Sequence, residues 1–127
     1  MNYMPPPNKQ LYFEQVWTQV RQIPSGKVAT YGQITKLLAQ PEGISSEDYQ
    51  MSAARWVGLA MSACPDDVPW QRVVNSQGKI SHQKEAARQK QLLLSEGVLF
   101  TRDKLDLSEF QWAGPGQSVE PMQGRLF

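Results

Sequence analysis

The constraint that bears hardest on the fold is a run of apolar residues at helical spacing, cut off by a proline. Phe13, Val16, Trp17, Val20 and Ile23 recur at three- and four-residue steps, and Pro24 follows directly. That spacing lays an apolar stripe along one helix face, which must bury against a neighbour. Pro24 lacks the amide hydrogen that a further turn needs, so the helix stops there. Ser25-Gly26 turns the chain, and Lys27-Val28-Ala29 gives a short extended entry. Thr30 and Gln33 then have capping-box spacing for a second helix, with Ile34, Leu37 and Leu38 as its apolar face and Pro41 as its end.

A polar loop is expected from Glu42 to about Met51, followed by a third helix from Ser52 to Ala63. Val73-Val74 and Lys79-Ile80 flank Asn75-Ser76-Gln77-Gly78, which predicts a short hairpin. Glu85 to Ser95 reads as a last helix carrying Leu92, Leu93 and Leu94, closed by Gly97 in the left-handed region. Helix, turn, helix and hairpin together predict a mainly α fold, a winged helix-turn-helix with a short β-hairpin wing. A compact helical bundle with no binding role shares the pattern.

A chain of 127 residues makes one domain with a core that needs no metal or disulfide. The single cysteine, Cys64, excludes a disulfide framework and a cysteine-rich metal site, and it reads as a small buried residue. His82, the one histidine, has no partner ligands nearby, so no metal and no cofactor are expected. Without a signal-like run or a membrane-length apolar segment, a reduced cytoplasmic setting with no membrane contact is expected; a monomer is expected as well. Both ends, residues 1–8 with Pro5-Pro6-Pro7 and residues 113–127 from Ala113-Gly114-Pro115, read as flexible or disordered, leaving a domain at 9–112.

Net charge is +1, but its distribution is uneven. Residues 1–40 carry Lys9, Arg21, Lys27 and Lys36 against Glu14, and residues 72–104 carry seven basic side chains against Glu85, Glu96 and Asp103. Two basic blocks around an acidic stretch can form one positive face, or simply an evenly solvated surface.

Two segments bear on function. The third helix carries Ala53, Ala54, Gly58, Ala60, Ser62 and Ala63, with Arg55 as its one long basic side chain. A helix reading the major groove usually presents several long polar groups. A smooth helix with a lone Arg suits close approach to the minor groove, and equally suits tight core packing. The heptapeptide Val68-Pro69-Trp70-Gln71-Arg72-Val73-Val74 puts a tryptophan between a stiff proline and a strand-like Val pair. Such a turn presents an aromatic into a pocket or fills a core at a strand entry.

Read together, these segments carry a resemblance. Ile23-Pro24-Ser25-Gly26-Lys27-Val28-Ala29-Thr30-Tyr31-Gly32-Gln33-Ile34 resembles the "IPxGKVxTYGxIA" signature of the O6-alkylguanine-DNA alkyltransferase family. Ala54-Arg55-Trp56-Val57-Gly58-Leu59-Ala60-Met61 resembles its "ARAVGxAM" helix, and Leu92 to Gly97 its "LLxxEG" end. The heptapeptide is similar to its "PCHRVV" active-site motif, with Trp70 where the nucleophilic cysteine stands, which is the mark of the alkyltransferase-like members. The match covers roughly residues 11–112, the DNA-binding domain of the family, without the separate N-terminal domain of the full repair enzymes.

The resemblance implies binding without reaction. A thiolate accepts the alkyl group in the repair enzymes, and an indole cannot. Gln71 replaces the activating histidine, so Glu96 keeps a carboxylate with nothing to relay to and is expected to brace the last helix. No catalytic residue carries over. The DNA-binding set does: Tyr31 as the residue that promotes rotation of the nucleotide, Arg55 as the finger that fills the vacated stack, and with them Gly32, Ala54, Gly58 and Ser76. Met61, Pro69, Trp70, Ile80 and Ser81 fall on the lesion pocket, although Lys84-Glu85 replaces the Gly-Gly of its far wall. The implied ligand is double-stranded DNA containing O6-alkylguanine, with nucleotide excision repair proteins of the UvrA type as partners. A winged-helix regulator of undamaged DNA and a residual alkyltransferase acting through Cys64 are the alternatives.

Overall fold

The computed structural model describes residues 6–81 and 83–115; the His82 reading and most of what was expected of the two ends fall outside them. Over these residues the fold is mainly helical with two small sheets. Helix α1 (Lys9–Val20) is capped by Asn8, whose side chain accepts from the Leu11 amide. It ends at Val20 rather than at Pro24: the Arg21 amide makes a last α-type bond to the Trp17 carbonyl, and the amides of Gln22 and Ile23 then close tighter turns on Gln19 and Val20. Strand β1 (Ala29–Thr30) leads straight into α2 (Tyr31–Leu37), where Thr30 and Gln33 form the reciprocal capping box.

Helix α3 (Ser46–Ser62) corrects the sequence expectation of a polar loop reaching Met51. Ser45 accepts from the Asp48 amide, and Glu47 and Asp48 sit in the first turn, where acidic groups are favoured. The residues that looked like loop are the solvent face of a first turn whose Tyr49 is buried. Tyr49, Ala53, Trp56, Val57 and Ala60 form the inner face. The Tyr12 ring meets Trp56 edge-on at 5.3 Å, and Trp17 Nε1 donates to the Ala60 carbonyl at 2.8 Å. Ala53 and Ala60 therefore let α1 approach closely, whereas Ala54, Arg55 and Ser62 lie on the exposed side. The small residues of this helix thus divide between a buried face packed on α1 and an exposed one.

After a 3-10 turn at Trp70–Arg72, β2 (Val73–Val74) pairs in parallel with β1, Ala29 against Val73 and Thr30 against Val74. This overturns the expected hairpin and wing at residues 73–80. Asn75 to Lys79 is only a turn, closed by the Asn75 amide on the Lys79 carbonyl and by Asn75 Oδ1 accepting from the Gln77 and Lys79 amides. A second 3-10 turn (Gln83–Glu85) precedes α4 (Ala86–Ser95). Gly97, at φ 93°, caps α4 as expected, with the Val98 amide returning to the Leu93 carbonyl. The antiparallel hairpin of the fold lies later, β3 (Phe100–Thr101) against β4 (Lys104–Leu105), and α5 (Leu107–Phe110) follows.

Two apolar clusters result. The larger joins α1, α2 and α3 around Trp56; the smaller joins Val28, Val74, Leu93, Val98, Leu105 and Phe110. The short parallel β1–β2 pair bridges them, since Ala29 and Val73 belong to the first and Val28 and Val74 to the second. Trp70 is thus set on a turn anchored to both. No helix among the described residues is long and apolar enough to cross a membrane.

Candidate DNA interface and pocket

The turn that carries Trp70 is held from two sides. Gln89 on α4, fully buried, donates from Nε2 to the carbonyls of Gln71 and Val73 at 3.0 Å each. Glu96 just beyond α4 accepts from Gln71 Nε2 at 2.7 Å and from Arg72 Nε and Nη2 at 3.0 Å each. Arg72 Nη1 also donates to the Ile23 carbonyl at 2.8 Å, and the Gly26 amide approaches Glu96 Oε1 at 3.4 Å. Burial alone would push the Glu96 carboxyl up, but the hydrogen bonds from Arg72 and Gln71, the Arg72 charge and the Gly26 amide together hold it below the ordinary range. Glu96 therefore does more than brace α4. It ties the heptapeptide to the turn after α1.

Trp70 is half-buried: its ring packs partly against the larger core and also lines an open hollow of about 370 Å³. Met61 at the end of α3, Cys64 and Asp66 share that hollow. Its far side is charged, formed by Glu85 and Arg88, which face each other at 3.7 Å, with the Arg88 guanidinium 6.0 Å from the Trp70 ring centre. Glu85 thus puts an ion pair with Arg88 on the wall where the Lys84-Glu85 departure falls. Cys64 is half-buried rather than buried as expected. Burial pushes its thiol pKa up, and the Asp66 and Asp67 carboxylates add to the rise.

A second hollow, about 410 Å³, is lined by Tyr31 at the start of α2, by Ala54, Arg55 and Gly58 on the outer face of α3, and by Ser81. Ser81 Oγ lies 3.3 Å from the Tyr31 hydroxyl. The residues singled out from sequence are therefore distributed over two sites. Met61 and Trp70 meet in the first hollow, while Ser81, expected with them, stands with Tyr31, Ala54, Arg55 and Gly58 in the second. Ile80 lines a third hollow on the other side of α4, about 490 Å³. Pro69 is half-buried and shapes the turn before Trp70; Gly32 is exposed on α2, and Ser76 is exposed on the Asn75–Gly78 turn.

Sequence reasoning missed Glu85, Arg88 and Asp66 as lining residues of the Trp70 hollow. The three-residue spacing of Glu85 and Arg88 was the available signal. No group of three or more potential ligands that could hold a metal occurs among the described residues.

Residues 11–98 match the family described as 6-O-methylguanine DNA methyltransferase, DNA binding domain. A Vibrio parahaemolyticus protein named DNA base-flipping protein is 38% identical over 105 residues, 80% of this chain and 95% of that one. Alkyltransferase-like protein 1 of Schizosaccharomyces pombe is 38% identical over 111 residues, 80% of this chain and 94% of its own length. The crystal structure of S. pombe Atl1 in complex with damaged DNA containing O6-carboxymethylguanine superposes with a TM-score of 0.67 at 37% identity, covering 81% of this chain and 95% of that one. Mycobacterium tuberculosis OGT in complex with DNA gives 0.55 at 30% identity, over 68% of this chain and 48% of that one.

Proposed function

This chain belongs to the family of the 6-O-methylguanine DNA methyltransferase DNA-binding domain, and from that premise we propose that it is a non-enzymatic damage sensor. It binds duplex DNA carrying O6-alkylguanine, turns the lesion out of the stack, and holds it without moving the alkyl group. The observation that carries this reading is the position of Trp70, exposed in part to an open hollow beside Met61 where the family motif has its nucleophile.

The α2–α3 pair acts as the helix-turn-helix. The smooth outer face of α3 lies in the minor groove, and Arg55 occupies the space that the displaced base leaves. Tyr31, on the same hollow as Arg55, meets the rotating nucleotide. Arg55 and Met61 are roughly 9 Å apart along the α3 axis, a span a single extruded nucleotide can bridge. Extrusion costs on the order of a few kcal/mol and less where pairing is already weak, so a poorly paired O6-alkylguanine is selected in part by its own damage. The Trp70 face then returns about 1–3 kcal/mol, and the Met61 thioether adapts to alkyl groups of different size.

The flipped state is tested with a fluorescent cytosine analogue placed opposite the lesion. Binding should release its quenching, and Arg55→Ala should abolish the signal; an unchanged signal on wild-type binding would exclude flipping. The same reading makes the held duplex a mark for nucleotide excision repair. A UvrA-type protein should then load faster on lesion DNA when this chain is bound, and equal loading would remove the handover.

A second reading is favoured by one feature, the presence of Cys64 in the Trp70 hollow. Transfer to Cys64 would add the alkyl mass to the protein on incubation with lesion duplex. We expect no added mass, since a raised thiol pKa leaves little thiolate at neutral pH.

A further inference from the structure

We propose that the hollow between α4 and the β3–β4 hairpin is a docking site for an acidic segment of a partner protein that carries one apolar anchor residue. The proposal goes beyond the lesion reading and does not depend on it. The hollow, about 490 Å³, has two kinds of lining. Ile80, Ala86, Ala87 and Phe100 give an apolar surface, and Lys79, Lys90 and Arg102 give three cations against the single carboxylate of Asp103. Lys90 pairs with Asp103 at 2.9 Å and the Lys79 charge also acts on that carboxylate, whereas Arg102 has no ion-pair partner among the described residues. Lys90 Nζ also stands 5.5 Å over the Phe100 ring, so cation and aromatic already share one surface.

The hairpin turn supports a role for these side chains. Arg102 and Asp103 sit at φ 54° and 63°, the left-handed pair that two-residue hairpins usually fill with Asn-Gly. A non-glycine residue there is disfavoured. The turn keeps two charged side chains where the backbone alone would prefer glycine, and both line the hollow.

Charge complementarity selects the occupant. A DNA phosphate would use the cations but leave Phe100, Ile80 and the two alanines wet. An acidic peptide with a Leu or Phe uses both surfaces. The location also permits simultaneous occupancy. Glu85 and Arg88 of the α4 region face the Trp70 hollow, while Ala86, Ala87 and Lys90 face this one, so the helix separates the two.

The test uses the full chain, amide-resolved NMR, and two probes: a short Asp/Glu peptide around a central Phe, and a lesion-free 12-base-pair duplex. The peptide should shift the amides of Lys79, Ala87, Lys90, Phe100 and Arg102. Arg102→Glu, an exposed turn substitution whose melting temperature is checked first, should weaken peptide binding about fivefold or more while leaving lesion-duplex affinity unchanged. Phe100→Ala should weaken it as well. No shifts at these residues at millimolar peptide, or peptide affinity within twofold in Arg102→Glu, would overturn the proposal. Displacement of the peptide from these same amides by the plain duplex would make the hollow a phosphate site and overturn it too.

Discussion

Gln71 donates from Nε2 to Oε2 of Glu96 at 2.7 Å, and so fastens the residue next to Trp70 to the end of α4. The same carboxylate receives Arg72, with side chains only 18% and 11% exposed for Arg72 and Glu96. Removing one member of a largely buried ion pair leaves the other uncompensated. Glu96→Ala should therefore lower unfolding stability by about 3 kcal/mol, read by urea denaturation. A loss below about 1 kcal/mol would show that water replaces the carboxylate without cost.

The pH dependence follows from the same carboxylate. Its folded pKa lies below the ordinary value, so the folded state binds its proton less tightly than the unfolded chain. The stabilisation is present above the unfolded value of about 4.3 and fades as pH falls through the lower folded one. Chemical denaturation between about pH 6 and pH 3 should show wild-type stability falling more steeply than that of Glu96→Gln. Parallel profiles would remove Glu96 from the acid response.

Gly78 tests the packing of the turn that took the place of the expected wing. It has φ 77°, and a Cβ there would stand 2.5 Å from the Leu105 carbonyl oxygen. That contact is with backbone, and the Leu105 amide already bonds the Gly78 carbonyl. Gly78→Ala should cost about 2 kcal/mol or more, seen as a lowered melting temperature. An unchanged melting temperature would mean that the turn and hairpin separate freely.

Much of this was legible in sequence where the signal is local. Thr30 and Gln33 announced their capping box, Gly97 its left-handed cap, and Pro69-Trp70 followed by Val73-Val74 a turn feeding a strand. Misreadings arose where the deciding interaction is distant or the pattern ambiguous. Ser45, Ser46, Glu47 and Asp48 are polar enough to read as loop, yet they have the composition of a capped first turn. Val73-Val74 pairs with Ala29-Thr30 across more than forty residues, and strands this short carry no periodicity that names a partner. The true hairpin was hidden because Arg102-Asp103 fills its turn without glycine. For the site, motif resemblance pointed to Tyr31, Arg55, Met61 and Trp70. It could not foresee that Ser81 and Ile80 line different hollows, nor that Arg88 faces Trp70.

Arg55 is exposed on α3 and lines the Tyr31 hollow. Arg55→Ala should weaken binding to O6-methylguanine duplex by about tenfold or more. Stability should stay within about 0.5 kcal/mol, as for an ordinary surface substitution. Equal affinity of variant and wild type would take Arg55 out of the mechanism.

The alkyl-transfer question turns on Trp70. Trp70→Ala should reduce preference for the lesion duplex by the stacking contribution of about 1–3 kcal/mol. Trp70→Cys should fail to restore full transfer, because Gln71, held by Glu96, cannot activate a thiol as histidine does. Full alkylation of Trp70→Cys within one stoichiometric incubation would contradict this.

The central claim is that the chain recognises the lesion and leaves it chemically intact. The most direct measurement compares affinities for two matched duplexes, one with guanine and one with O6-methylguanine, and then determines the recovered base and the mass of the protein. The account predicts tighter binding of the lesion duplex, full recovery of O6-methylguanine and an unchanged protein mass. Equal affinities, or a protein heavier by the methyl group, would contradict it.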